Sequence, residues 1–156
     1  MSLSIQPVTI HNWRDLSHLQ VREDQKNFVA PNIYSIAESQ FGYDHPEDGH
    51  WDMAPYGIYD GGEPVGFLMI GYNFSRARTQ GFIIRLMVDE KYQGKGYGKF
   101  GMHWILDHFR NDERIQRIGI SYEPDNEVAR TLYASLGFVE TGEIDQGEVV
   151  AELQIR

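Results

Sequence analysis

The 156 residues suffice for one domain with a real core and are too few for two, and 41% hydrophobic with 24% charged residues is a folded rather than a disordered composition. There are no cysteines, which excludes disulfides and thiolate metal sites and fits a reducing, cytoplasmic setting. A formal net charge of -9 argues against a nucleic-acid partner, and no uncharged apolar run approaches the roughly 20 residues of a membrane helix.

Met1 to Pro7 lack a basic and an apolar region, so no secretory signal is expected. Ser4 to Thr9 suit a first strand. Asn12 is a candidate N-cap for a helix that turns Trp13, Leu16 and Leu19 inward. Pro31 suits the start of a second helix, with Ile33, Ile36 and Ala37 on one face. Gly42 to Asp52, containing Pro46 and Gly49, reads as loop. Tyr56–Tyr59 and Pro64–Tyr72 then form a hairpin about Asp60-Gly61-Gly62-Glu63.

Gly81 to Val88 is apolar except for Arg85, the pattern of a strand buried on both faces. A Gly-rich loop and a helix to about Arg110 follow, with Met102, Ile105, Leu106 and Phe109 on the core face. Arg117–Tyr122 is another strand. Asn126 starts a helix whose Ala129, Leu132, Tyr133 and Leu136 share a face, and Gly137 ends it. Two strands, Phe138–Ile144 and Glu148–Ile155, close the chain. The whole is one domain, residues 1–156, of mixed α/β class with helices on the faces of a sheet.

Charge is unevenly distributed. No Lys or Arg lies between Lys26 and Arg76, whereas Glu38, Asp44, Glu47, Asp48, Asp52, Asp60 and Glu63 all do. The segment is either a solvated acidic surface or a mouth that draws in a cationic ligand. Tyr34, Tyr43 and Trp51 lie among these acids and suit contact with methylenes or a cation. His45 and His50, like His103 and His108, are five apart, which matches no zinc spacing, so no metal is expected.

The chemistry-bearing stretch is Gln93-Gly94-Lys95-Gly96-Tyr97-Gly98, between a buried strand and a helix. Free N–H groups and the positive end of a helix converge there, and small residues let a phosphate approach; Lys95 and Lys99 add cations. Gly96 to Gly101 match G-x-G-x-x-G literally, but several polar residues separate Val88 from Gly96, unlike a dinucleotide turn. A Walker A loop is absent, because neither Gly-Lys pair is followed by Ser or Thr.

Gln93, Gly96 and Gly98 fit [QR]-x-x-G-x-[GA], and Asn126, Ala129, Leu132, Tyr133, Gly137 and Phe138 fit N-x-x-A-x-x-L-Y-x-x-x-G-F. Together they resemble the GNAT superfamily of N-acetyltransferases over roughly Tyr56 to Ile155. The segment from Val21 to Glu38 looks like that of bacterial spermine/spermidine (diamine) N-acetyltransferases. The resemblance implies a twisted, largely antiparallel sheet of about seven strands with a central bulge and splay for acetyl-CoA. It implies that Met87 and Val88 pair with the pantetheine arm, that Gln93 to Lys99 hold the pyrophosphate, and that Asn126 touches the cofactor arm. Tyr133 becomes the general acid for the departing thiolate, and a backbone N–H near Leu86 to Val88 the oxyanion donor.

By the same resemblance, some polyamine acetyltransferases carry a Glu where this chain has Ile84, so the base stays open among Glu38 and the acids Asp44 to Asp52. Glu38, Asp44, Glu47 and Trp51 are the expected substrate contacts. The substrate implied is a small cationic amine, with a polyamine first and an aminoglycoside or a protein N-terminus as alternatives. A non-catalytic acyl-CoA-binding module is the rival class. A homodimer is expected, with Glu148 to Ile155 available to pair with another chain.

Overall fold

The longest apolar stretches of the chain become its central strands. In the computed structural model, which describes residues 1–156, the elements are β1 (Leu3–Pro7), α1 (Trp13–Ser17), α2 (Asn32–Phe41), β2 (Tyr43–His45), β3 (Gly49–Asp60), β4 (Glu63–Tyr72), β5 (Thr79–Val88), α3 (Tyr97–Arg110), β6 (Arg117–Tyr122), α4 (Glu127–Ser135), β7 (Val139–Asp145) and β8 (Glu148–Gln154). Seven strands run in the order β1-β3-β4-β5-β6-β8-β7, and β2 adds an eighth by pairing with the start of β3. Only β5 and β6 are parallel, joined across α3. This matches the expected mixed, largely antiparallel sheet.

Both faces are covered. One core packs Leu68, Ile70, Ile83, Ile118 and Ile120 against Met102, Ile105, Leu106 and Phe109 of α3, with Tyr133 of α4 at its margin. The other packs Phe67, Met69 and Met87 against Leu16 of α1 and Ile36 of α2. Phe67, Leu68, Met69 and Ile70 of β4 are all completely buried, and each such side chain contributes about 1.5–3 kcal/mol of hydrophobic stabilisation. Gly61 (φ 59) and Gly62 (φ 89) give the β3–β4 turn the two positive-φ residues that a tight hairpin needs.

Four local expectations are corrected. Gly42–Asp52 is not a loop: Tyr43 pairs with Trp51 and His45 with Gly49 in a short hairpin. The inward face of α2 is Asn32, Ser35 and Ile36, while Ile33 is half exposed, because Asn32 satisfies its amide on the Leu16 carbonyl at 2.9 Å. The Asn12 side chain does not cap α1; it turns back to the Pro7 carbonyl (3.0 Å) and the Thr9 N–H (2.7 Å). Strand β8 is paired on both sides, so β7 is the free edge at that end of the sheet.

Candidate active site

The site begins as an interruption of the sheet. Strand β5 pairs with β6 from Thr79/Arg117 to Ile83/Ile120 and no further. Beyond that point β5 continues alone on this side to Val88, and β6 continues as Ser121 and Tyr122. A bulge lies at the parting: Met69 pairs with Arg85 and Ile70 with Ile83, which leaves Ile84 as the extra residue. The extra residue shifts the side-chain alternation, so Ile84 and Arg85 both line the cleft above this face while Ile83 and Leu86 pack on the other. The expected central splay is present, with Met87 and Val88 on its free edge.

Past Val88 the chain makes one 3-10 turn, capped by Asp89, and enters the Gly-rich loop. The Asp89 carboxylate is buried and accepts the N–H groups of Lys91 (3.0 Å) and Gln20 (2.9 Å). The carboxamide of Gln93 donates to the Val88 carbonyl (3.0 Å) and to Gln25 (2.9 Å), so this side chain fixes the loop and leaves ligand contact to its main chain. Gly94 (φ 81) and Gly96 (φ 88) are left-handed, Gly96 starts α3, and a Cβ at either would meet nothing within 4 Å. The N–H groups of Gln93, Gly94, Lys95 and Gly96 have no protein acceptor, and the free first turn of α3 follows them. Free N–H groups at a helix start with no side chain in the way suit an anionic group such as a diphosphate. Lys95 lies over the Tyr92 ring at 5.7 Å, and Lys99 is exposed. Tyr97 contributes only main chain here, since its buried ring points inward and its hydroxyl donates to Asp60 at 2.5 Å.

On the other side of the splay, Asn126 caps α4 by accepting the Ala129 N–H at 3.2 Å. At the far end of α4 the N–H of Gly137 donates to the Ala134 carbonyl and that of Phe138 to the Tyr133 carbonyl, with Gly137 at φ 99. This closing motif puts the Phe138 ring against Tyr133 (6.1 Å between centroids), and the Tyr122 ring lies 5.6 Å away. Tyr133 is thereby fixed beside the strand end where β6 leaves β5. Burial, with Tyr122 beside it, holds its hydroxyl above the ordinary phenol range, so it stays protonated at neutral pH.

The face opposite Tyr133 carries a cleft of about 640 Å³, walled by Lys26–Pro31, Tyr43, Trp51, Phe82, Ile84 and the β7–β8 turn. Four carboxylates line it: Glu38, Asp48, Asp145 and Glu148. Glu38 faces Arg85 at 3.5 Å, and its Oε1 is buried without a hydrogen bond. Asp48 faces Arg76 at 3.4 Å. The His45 ring accepts the N–H groups of Glu47 and Asp48 at Nδ1 and donates from Nε2 to Asp145 at 3.2 Å, which closes the cleft between β2 and the terminal hairpin. Glu148 accepts a 2.7 Å hydrogen bond from Ser121.

The structure brings Glu38 and Trp51 into this cleft and leaves Asp44 and Glu47 outside it. Asp44 is exposed and bonded to His50 (2.6 Å), an interaction that raises the His50 pKa. Asp60 and Glu63 lie in the β3–β4 turn and accept from Tyr97 and Tyr92. The acidic block is therefore not one mouth. Arg85 could be suspected from its place in an apolar strand, but Asp145 and Glu148, about a hundred residues beyond His45, left no local signal. No group of His, Asp and Glu is arranged to hold a metal ion.

Residues 11–138 match the model of the acetyltransferase (GNAT) family. The spermine/spermidine N(1)-acetyltransferase of Bacillus subtilis (strain 168) is 30% identical over 155 residues, which covers 96% of this chain and 97% of that protein. Among solved structures, spermidine N-acetyltransferase from Vibrio cholerae in complex with CoA and spermine superposes with a TM-score of 0.69 at 16% identity, covering 97% of this chain and 95% of that one. An aminoglycoside acetyltransferase in complex with coenzyme A superposes at 0.72 and 17% identity, covering 98% and 95%. At these identities the two likenesses are of fold.

Proposed function

The chain belongs to the acetyltransferase (GNAT) family, and from that premise we propose that this acetyl-CoA-dependent N-acetyltransferase takes a polyamine as its acceptor. The observation that carries the reading is the carboxylate-lined cleft directly over the splay. Its four acids outnumber the two cations that share it, Lys26 and Arg85, which suits a chain of ammonium groups, while Tyr43, Trp51 and Phe82 suit the methylenes between them. The full-length likeness to a spermine/spermidine acetyltransferase supports the same choice.

Acetyl-CoA supplies an activated acetyl thioester. The residues present fit it: the N–H groups from Gln93 to Gly96 and the first turn of α3 would hold the pyrophosphate, with Lys95 and Lys99 adding charge. The free β5 edge at Met87 and Val88 would pair with the pantetheine arm, and an N–H of that edge would steady the carbonyl oxygen. Asn126, spent on its cap through Oδ1, keeps its amide hydrogens for the arm. Tyr133 donates a proton to the departing sulfur. Glu38 and Asp48, with Asp145, would orient the amine. Homodimerisation in the cytoplasm belongs to the same proposal, with edge strand β7, where Val139 and Ile144 are exposed, as the contact.

Calorimetric titration of putrescine, spermidine and spermine into the protein with CoA tests the acceptor. Affinity is expected to rise with the number of ammonium groups, to weaken with salt, and to fall about tenfold or more for Glu38→Gln. Equal affinity for all three amines, or none for any, overturns the polyamine assignment.

A further inference from the structure

With the pantetheine arm on the free β5 edge, the carbon that receives the amine would sit at the gap between β5 and β6, and the group that takes the amine's proton would have to reach that gap from the cleft. Only Ser121 and Tyr122 of β6 extend beyond its last β5 pair. Alternation along the strand sends them to opposite faces: Tyr122 packs with the helices beside Tyr133, and Ser121 lines the cleft. The Ser121 hydroxyl is spent on Glu148, which lies on the same face of β8, at 2.7 Å. The same two residues of β6 thus hold the acid on one side of the gap and a carboxylate on the other.

The other cleft carboxylates are already committed. Glu38 is countered by Arg85 (3.5 Å) and Asp48 by Arg76 (3.4 Å). Asp145 is bound to His45 at the turn, and Lys26 is drawn to Glu23 at 2.8 Å. A carboxylate held against a guanidinium or an imidazole is less free to turn toward an incoming ammonium. Glu148 has no cationic partner and one neutral donor. We propose that Glu148, oriented by Ser121, is the catalytic base that takes the proton from the incoming amine, directly or through one water. This assignment rests on the acetyltransferase reading.

The protons balance. The ammonium gives one proton to Glu148, which returns it to solvent through the cleft. The freed nitrogen lone pair forms the N–C bond while the C–S pair moves to sulfur, and sulfur takes a proton from Tyr133. The second nitrogen proton restores the Tyr133 phenol. Carboxylate bases work within hydrogen-bond reach or through one water, and Ile84 and Phe82, which line the same cleft, would desolvate a bound amine and lower the cost of deprotonating it.

The test compares kcat against pH for the wild type and Glu148→Gln, which keeps the shape and can still accept from Ser121. The amine used is whichever member of a panel the wild type turns over fastest. A wrong acceptor assignment therefore appears in the panel ranking and leaves this comparison intact, while no turnover with any amine overturns the reading beneath it. E148Q is expected to lose on the order of 10²-fold in kcat at neutral pH, with the KM for acetyl-CoA little changed. The deficit should narrow as pH approaches the amine's own pKa of about 10, where the free base is supplied by solvent. Ser121→Ala should lose roughly tenfold with an unaltered profile shape, as expected when the base is misaligned. An E148Q profile parallel to the wild type, or a kcat within about twofold of it, overturns the assignment.

Discussion

Replacing Tyr133 by Phe separates its chemical from its structural role. The ring sits against Tyr122 at 5.6 Å and Phe138 at 6.1 Å, contacts that a phenyl ring keeps. The neighbouring Tyr122 hydroxyl donates to Glu140 at 2.9 Å, whereas the Tyr133 hydroxyl has no partner in the protein. Its loss removes no hydrogen bond, so the stability change should stay within about 0.5 kcal/mol, a Tm shift of roughly 1–2 °C at this chain length. A positioned acid contributes about 10²- to 10⁴-fold, which is roughly 2.7–5.5 kcal/mol of transition-state stabilisation. Release of CoA, followed with a thiol reagent alongside a thermal melt, reads both. The expected result is a native melt with kcat down by at least about a hundredfold. A native melt with an unchanged rate refutes the role of the hydroxyl; a lowered melt with an unchanged rate shows that Tyr133 only packs.

The loop glycines predict a contrast. Gly96→Ala meets no clash in the free protein but forces a side chain to φ 88, costing about 1–2 kcal/mol, and its methyl stands where the diphosphate must approach, so the KM for acetyl-CoA should rise at least about tenfold. Gly98→Ala lies in helical backbone with Val88 at 3.6 Å, an ordinary contact, and should raise stability by about 0.5–1 kcal/mol. If both variants melt alike, the left-handed cap is not what constrains residue 96. Stability should also fall at alkaline pH. Burial raises Tyr56, Tyr59, Tyr72 and Tyr133 above the ordinary value of 10.0. Above that value the unfolded chain has lost protons that the folded one retains, so the unfolding free energy declines as pH rises; denaturant titrations at pH 9 to 11 that stay level would contradict this.

The Gly-rich loop and the α4 cap were legible because their signals are local. Three glycines between a buried strand and an amphipathic helix are a short-range pattern, and so is the Asn126 cap followed by Ala129, Leu132 and Tyr133. The bulge at Ile84 was less visible, since a phase slip in an all-apolar strand changes no polarity. The carboxylate-lined cleft was hard to read for a related reason. His50, Trp51 and Asp52 do alternate outward, inward and outward, but the paired run is only three residues on each side of a turn that holds Pro46 and runs into Gly49, so Gly42 to Asp52 resembles a loop. The inward placement of Asn32 depends on a carbonyl of another helix, and the Asp145–His45 contact joins residues a hundred positions apart. Net charge along the sequence likewise misled about the mouth, because Asp60 and Glu63 are absorbed by tyrosine hydroxyls and Asp44 by His50.

The most direct measurement is CoA release from acetyl-CoA by the wild-type protein against spermidine, spermine, putrescine, an aminoglycoside and an N-terminal peptide, with the acetylated product identified by mass spectrometry. Saturable turnover with spermidine or spermine, giving one acetylated polyamine per CoA released, is the predicted result. Turnover confined to the aminoglycoside or the peptide contradicts the polyamine claim, and tight CoA binding with no turnover on any amine contradicts catalysis itself.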